Sequence, residues 1–444
     1  MKKEWFLIIC SVSLTLFIAL ILVRWFAPQL LGLPVDLQMV RVAKKVPPFF
    51  DGVFRSEDYK SEGYLIQDPY IMRAKPLLPG YLRMGPNDIL GFRNRNVSNI
   101  ADIVTIGDSQ TYGNNVTLEE NWPNILVKNL SSFSPVLYNM SVGGWGAAEY
   151  FEIFNKALYF QPKVIIVAFY TGNDAIDTFN KVYGDKRWDS LRLNKKLTSS
   201  DAPTLLKSNE WKVHFHDGLE ATFTPTRRYL SNNRNNAAVK AGYEIMGQLA
   251  QKMGKIAAAK KIGLVYTIIP TKELAFKRKI YQENMLPRKD YLALVNDEER
   301  NLMEFAEKLK KIPGAVYIDL LDPIQQAIAE SRVLYPFITS DGHPVSEGYK
   351  LIGEILSKEV SSLLPAKLQG GVIAQISITD DSYWPLLIKN GYFYRIASQK
   401  IAEDNGWTQE NIKVADLRDI NKLPFGGVIE TVNPSLYGPA AFGM

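Results

Sequence analysis

Histidine is scarce in this 444-residue chain: His214, His216 and His343 are the only three. A serine nucleophile needs a base, a group that orients the base, and donors for the oxyanion that develops. The search for a base is therefore short. The stretch "IVTIGDSQTYG", Ile103 to Gly113, runs an apolar strand straight into Gly107-Asp108-Ser109. Such a junction displays a hydroxyl at the C-terminal end of a strand; its plain alternative is a β-turn. His343 lies in "FITSDGHPVSEGY" with Asp341 two residues earlier. An acid so close can hold the imidazole Nδ1–H and leave Nε2 facing the serine. His214 and His216 alternate in "HFHD". With Asp217 they could bind a metal, but a third strong ligand is not evident, and an exposed strand is the expected reading. No metal and no cofactor is expected.

These groups need elements to carry them. Short, continuous apolar runs, as in strands buried on both faces, fall at Ile103–Ile106, Val136–Met140, Val164–Tyr170, Leu264–Ile269 and Val316–Leu320. Helical patterns lie between them. "TLEENWPNILVKNL" is headed by a capping box, Thr117 to Glu120, and "AAEYFEIFNKALYF", "NAAVKAGYEIMGQLAQKMGKIAAAKK" and "SEGYKLIGEILSKEVSSLL" are amphipathic. Five β-α units predict a three-layer α/β/α sandwich around a five-stranded parallel sheet. Two more segments follow strand ends, "NMSVGGWGAAEY" and "AFYTGNDAID". A glycine there can bring its N–H to an oxyanion, and an asparagine side chain can donate a second hydrogen bond. Each piece alone is common; their order along the chain is what carries weight.

In that order the chain resembles the SGNH hydrolase (GDSL-like) superfamily, with its flavodoxin-like sandwich. Gly107-Asp108-Ser109 matches the first block, Gly144 the second, Gly172-Asn173-Asp174 the third and Asp341-Gly342-His343-Pro344 the fifth. The resemblance covers residues 98–365. It implies Ser109 as nucleophile, His343 as base and Asp341 as its orienting acid, with an oxyanion hole from the Ser109 and Gly144 N–H groups and the Asn173 side chain. Gln110 replaces the usual leucine, and Asp341 stands one residue closer to the histidine than in the common pattern. A Ser–His dyad backed by a carbonyl is the alternative to the triad. "IIPTKE", Ile268 to Glu273, weakly resembles membrane-linked members that acetylate exopolysaccharides.

Around this domain, 98–365, lie other segments. Residues 27–97 are rich in Pro and Gly and read as an irregular lead-in; residues 177–236 read as an insertion at the sheet edge where α/β domains bind ligands. Residues 370–444 read as a small α+β accessory domain, with Asn390-Gly391 as a hairpin turn and a helix ending at Asn405-Gly406. Its Tyr383, Trp384, Tyr392 and Tyr394 suit a domain core or sugar stacking. Net charge is +6 without a dense basic run, so no nucleic-acid partner is expected. The one cysteine, Cys10, lies in the N-terminal apolar run, so disulfides and thiolate sites are excluded elsewhere.

The expected activity is that of an extracytoplasmic serine esterase acting on acyl, foremost acetyl, esters, with glycans among the substrates. The alternatives are an O-acyltransferase supplied by a membrane acyl-donor partner, and a non-catalytic binding or assembly module. The run from Trp5 to Val23 is uncharged, and its 19 residues would span roughly 28 Å as a helix. Aromatic residues flank it, Lys2 and Lys3 precede it, and no small-residue cleavage site follows closely. It reads as a transmembrane signal anchor over residues 5–26, N-terminus cytoplasmic and the enzyme outside. A chain shortened to start near Leu30 is expected in the soluble fraction, while the full chain sediments with membranes. In intact cells, protease added outside the cytoplasmic membrane should cut the main domain; protection until that membrane is broken would reverse the orientation.

Overall fold

The computed structural model describes residues 63–66, 71–80, 84–97, 100–130, 135–204 and 209–364, then 373–378, 382–389, 392–404, 412–414 and 425–429, with Thr15, Ile420 and Leu423. The chain divides into two compact units at Leu364/Pro365. Apart from Thr15, the N-terminal run lies outside the described residues, as do Asn390-Gly391 and Asn405-Gly406. Among the described residues, no helix is long and apolar enough to cross a membrane.

The first unit opens with a ribbon of β1 (Leu65–Ile66) and β2 (Arg73–Ala74). It continues β3 (Ile103–Gly107), α1 (Ser109–Tyr112), α2 (Trp122–Asn129), β4 (Leu137–Ser141), α3 (Ala147–Ala157), β5 (Val164–Tyr170) and α4 (Asp174–Gly184). Next come β6 (Trp211–His214), β7 (Glu220–Phe223), α5 (Pro225–Tyr229), α6 (Ala237–Lys260), β8 (Gly263–Ile269) and α7 (Lys272–Ala275). The unit closes with α8 (Lys277–Gln282), α9 (Lys289–Lys310), β9 (Ala315–Ile318), α10 (Leu321–Ala329) and α11 (Ser346–Val360).

One parallel sheet in the order β4-β3-β5-β8-β9 forms the centre. Its three strands nearest the site are buried along almost their whole length, which is why they read as unbroken apolar runs rather than alternating ones. The chain leaves β3 for β4 on one side and returns to β5 on the other. That reversal opens a crevice at the C-terminal ends of β3 and β5. Register fixes its floor: Gly107 pairs with both Ser141 and Ala168. The loops after β3 and β4 therefore leave the sheet at one level, and β5 runs two residues further, to Tyr170, before its own loop begins.

Two local expectations are corrected. The Thr117–Glu120 capping box exists, but it closes a short 3₁₀ turn, Leu118–Glu120; the α-helix behind it starts at Trp122 under its own cap, Asn121. Residues 177–184, expected inside the insertion, belong to α4, whose cap is Asn173. The remainder of that stretch contributes the antiparallel β6/β7 hairpin and α5.

The second unit has a sheet in the order β13-β10-β11-β12-β14: β10 (Ile373–Ile378), β11 (Ser382–Lys389), β12 (Tyr392–Ile396), β13 (Ile412–Val414) and β14 (Phe425–Ile429). Alternation along β11 sends Leu387 to one cluster, with Ile396 and Ala402, and Leu386 and Ile388 to another, with Ile420. Tyr394 packs against the first cluster.

The described lead-in residues are bound to the first unit through Arg93, which is fully buried. Its Nε donates to Gly85 O at 2.8 Å and Nη2 to Val116 O at 2.7 Å, while Nη1 donates to Tyr112 O at 3.1 Å and also to Gly113 O. Three of these carbonyls, those of Tyr112, Gly113 and Val116, belong to the turn that follows Ser109. Arg93→Met should leave them buried and unpaired, at a cost of about 2–4 kcal/mol. Chemical denaturation of the two proteins measures this; an unchanged midpoint would mean water replaces the guanidinium freely.

Candidate active site

The serine is placed by a short helix. Asp108 caps α1, its Oδ1 accepting from Gln110 N at 2.8 Å, and Ser109 begins the helical turn directly above β3. Ser109 Oγ also donates weakly to Asp108 Oδ2, at 3.4 Å. Gln110, at the position where the family pattern has leucine, reaches across: its Nε2 donates to Gly342 O at 3.3 Å. Asn115 Nδ2 donates to Asp341 Oδ2 at 2.7 Å. The residues just after the serine thus hold the loop that carries the histidine.

From below, that loop is held by Lys272, whose Nζ donates to Pro336 O at 2.7 Å and Thr339 O at 3.0 Å. Burial pushes the Lys272 ammonium down to about 8, and the charges of Glu273 and Asp341 support it. Lys272 lies in the "IIPTKE" segment, so that stretch props the site loop. His343 Nε2 stands 2.8 Å from Ser109 Oγ, and His343 Nδ1 stands 2.6 Å from Asp341 Oδ1. The shortened spacing suffices because the same Oδ1 accepts from His343 N at 3.0 Å, folding the loop into a tight turn. Burial alone would raise the Asp341 carboxyl. The His343 hydrogen bond and charge, with the Asn115 and backbone donors, outweigh it and hold Asp341 well below the usual carboxylate range.

On the other side of the serine, the loop after β4 comes close: a Cβ on Gly143 would lie 3.4 Å from Ser109 Cβ. Gly144 follows with φ +77°, a conformation that a larger residue resists. Asn173 lines the same cavity as Ser109 and His343, and its Nδ2 donates to Asp177. One amide proton is thereby fixed and the second is left for a ligand. The cavity encloses about 650 Å³. Burial raises Asp108 to about 6 and Asp177 to about 7, the latter against the opposing pull of the Asn173 hydrogen bond. Burial, then the Asp108 charge, pushes Asp174 well up. Chemically, a neutral His343 at this distance can take the Ser109 proton, and the paired Asp341 can stabilise the imidazolium that results.

The other two histidines are elsewhere, on the β6/β7 hairpin. His214 Nδ1 pairs with Glu220 at 2.8 Å and both are largely exposed; His216 faces Glu283 at 3.7 Å. Asp217 is engaged by Lys279 at 2.5 Å and by Ser331. Among the described residues, no group of three or more His, Cys, Asp or Glu could hold a metal ion. The sequence assigns no site role to Gln110, Asn115, Asp177, Arg228 or Lys272. Two of them carry a signal: Gln110 as the departure from the family block, and Lys272 through the "IIPTKE" stretch that contains it.

The model of the GDSL-like lipase/acylhydrolase family matches residues 103–356. No curated protein matches the sequence. Among solved structures, the chain is similar to a GDSL-like lipase from Bacteroides thetaiotaomicron, with 12% identity, 59% of this chain and 88% of that one covered, and a TM-score of 0.32. It is similar to a psychrotrophic esterase from Pseudoalteromonas, with 12% identity, 59% and 97% covered, and a TM-score of 0.29. A third is an acetylxylan esterase from Geobacillus stearothermophilus, with 9% identity, 60% and 95% covered, and a TM-score of 0.32.

The raised Asp177 has a consequence for stability. A carboxyl that titrates at about 7 when folded, and near ~4 when unfolded, favours the folded state most at low pH. The folded chain binds the extra proton, so this contribution is present below about pH 4 and is lost as pH rises through about 7. Asp177→Asn should therefore flatten the decline of melting temperature between about pH 5 and 8. An unaltered slope in thermal melts would show that Asp177 is already ionised in the folded protein.

Proposed function

The chain belongs to the GDSL-like lipase/acylhydrolase family and is a serine hydrolase acting on esters, and from that premise we propose that it removes short acyl groups, acetyl foremost, from polar alcohols through an acyl-Ser109 intermediate. The observation that carries the residue assignment is the relay Ser109 Oγ to His343 Nε2 at 2.8 Å and His343 Nδ1 to Asp341 Oδ1 at 2.6 Å. His343 takes the Oγ proton as Oγ attacks the ester carbonyl. The tetrahedral oxyanion is met by the Ser109 and Gly144 N–H groups and the free Asn173 amide proton. The imidazolium, stabilised by Asp341, then protonates the leaving alkoxide. Water enters, His343 takes its proton, and collapse of the second tetrahedral species frees the acid and Ser109. Asp341, held far down, stays anionic throughout this cycle.

The preference for a small acyl group and a polar alcohol is supported by the cavity wall: among the described residues, it contains no aliphatic residue and no phenylalanine. A long acyl chain would find little apolar surface there beyond the Tyr170 ring, and burying apolar area is what binds it. A glycan hydroxyl fits such a wall, and the uncharged run near the N-terminus supports placing this chemistry outside the cytoplasm. Passing the same acyl group to a sugar hydroxyl would be O-acyltransfer. Accumulation of free acetate rather than acetylated sugar, in the presence of oligosaccharide, is the outcome expected for the esterase.

Ser109→Ala and His343→Ala should each lower kcat by about 10⁴–10⁶-fold while circular dichroism stays unchanged. Asn173→Ala should cost about 10²–10³-fold in kcat with little change in KM, as a donor acting mainly in the transition state does. Full activity in folded Ser109→Ala would move the nucleophile elsewhere, and a pure KM effect at Asn173 would make it a substrate-binding residue instead.

A further inference from the structure

We propose that the cavity contains an anion subsite centred on Arg228, so that its ester carries a carboxylate or comparable oxyanion within reach of that guanidinium; this rests on the esterase reading above. Arg228 comes from the last turn of α5 and lines the cavity together with Ser109 and His343. Its guanidinium lies over the Tyr170 ring at 5.7 Å. A Cβ on Gly342 would sit 2.7 Å from Arg228 Nη2 and 3.2 Å from Tyr170 Oη. The guanidinium tip therefore rests against the residue between Asp341 and His343, and glycine there leaves it room.

What makes this arginine unusual is that, among the described residues, no hydrogen-bond acceptor meets it. Among the described residues, its side chain makes no hydrogen bond and no ion pair, and its Nε is fully buried without a partner. Tyr170 Oη and Gln110 Oε1, from the same cavity, are also buried and unpartnered. Arg93 shows the ordinary solution, with carbonyl oxygens meeting every nitrogen of its fork. A cation whose Nε is buried without a partner costs stability, and such a cost persists where a ligand completes the site.

None of the nearby carboxylates pairs with Arg228, and all but one Glu273 oxygen are engaged elsewhere. Asp341 is held by His343 and Asn115, and Asp177 accepts from Asn173. Glu298 accepts from Thr171 and Thr271. Glu273 accepts from Thr224 N through one oxygen, and its other oxygen, though free, forms no ion pair with Arg228. Burial opposes the Arg228 charge, and Tyr170, Glu273, Glu298 and Asp341 more than offset it, so the guanidinium stays protonated. Arg227, exposed on the same wall, adds a second positive charge. A planar fork with free N–H groups matches the two oxygens of a carboxylate.

The anion can belong to the alcohol half of the ester or to its acyl half, and two pairs of esters separate these. Phenyl acetate against meta-acetoxybenzoate places it on the alcohol; phenyl butyrate against phenyl hemisuccinate places it on the acyl group. In one pair, kcat/KM should favour the anionic ester by about 10- to 100-fold. The preference should shrink as salt is raised, vanish in Arg228→Met and return in part in Arg228→Lys. Equal rates within both pairs, or a preference that survives Arg228→Met, would overturn the subsite. If Arg228→Met does not fold, the salt dependence and Arg228→Lys decide. If no ester turns over, the esterase reading fails by itself. Calorimetric titration of Ser109→Ala with meta-acetoxybenzoate and phenyl hemisuccinate then reads the subsite alone: binding weakened on adding Arg228→Lys and lost on adding Arg228→Met upholds it, and binding that is absent or indifferent to Arg228 overturns it.

Discussion

A single hydrogen bond, 2.8 Å from Ser109 Oγ to His343 Nε2, joins residues 234 positions apart. Proton transfer tolerates little error in that distance, so both ends must be held by something stiffer than a loop. The serine end is held by the sheet. β3 lies between β4 and β5 with parallel ladders on both sides, and Ser109 follows it by one residue. The histidine end has no strand beneath it. Its position comes from side chains: Lys272 from below, Gln110 and Asn115 from the serine's own turn. The two ends are thus braced against each other, so disturbing the turn after Ser109 should disturb His343 as well.

The same side chain serves opposite purposes within this small volume. Asp341, surrounded by donors, is held anionic, as a partner for an imidazolium must be. Asp108 and Asp177 are pushed upward by burial. Asp108 caps α1 with one oxygen and faces Ser109 Oγ with the other, and Asp177 fixes one proton of the Asn173 amide. Burying so many carboxyls behind a reactive serine costs stability at neutral pH. In the proposed mechanism it provides a rigid, low-dielectric surround for the oxyanion.

Much of this was legible in the sequence. Strands buried on both faces leave an unmistakable trace, and β3 and β5 fall almost where their apolar runs predict. The Ser109, Asn173 and His343 blocks were visible because each stands at a strand end or just before a helix. Local signals misled where two compete. Thr117–Glu120 is a sound capping box, yet Asn121 with Pro123 behind it supplies a better helix start a few residues on. The supports were hidden for a different reason. Gln110, Lys272 and Arg228 act through contacts with residues far away in sequence, and nothing in their neighbourhoods announces a bond that only the fold creates. Arg228 is the extreme case, since its role follows from contacts that are missing.

The central claim is that Ser109 is the atom acylated during turnover. Quenching the enzyme with acid during steady-state hydrolysis of a chromogenic acetyl ester, followed by peptide mass analysis, reads that directly. The account predicts one acetyl group on the peptide containing Ser109, accumulating in the wild type and absent from His343→Ala. Acetyl carried by another residue, or turnover with no acylated protein at any time, would contradict it.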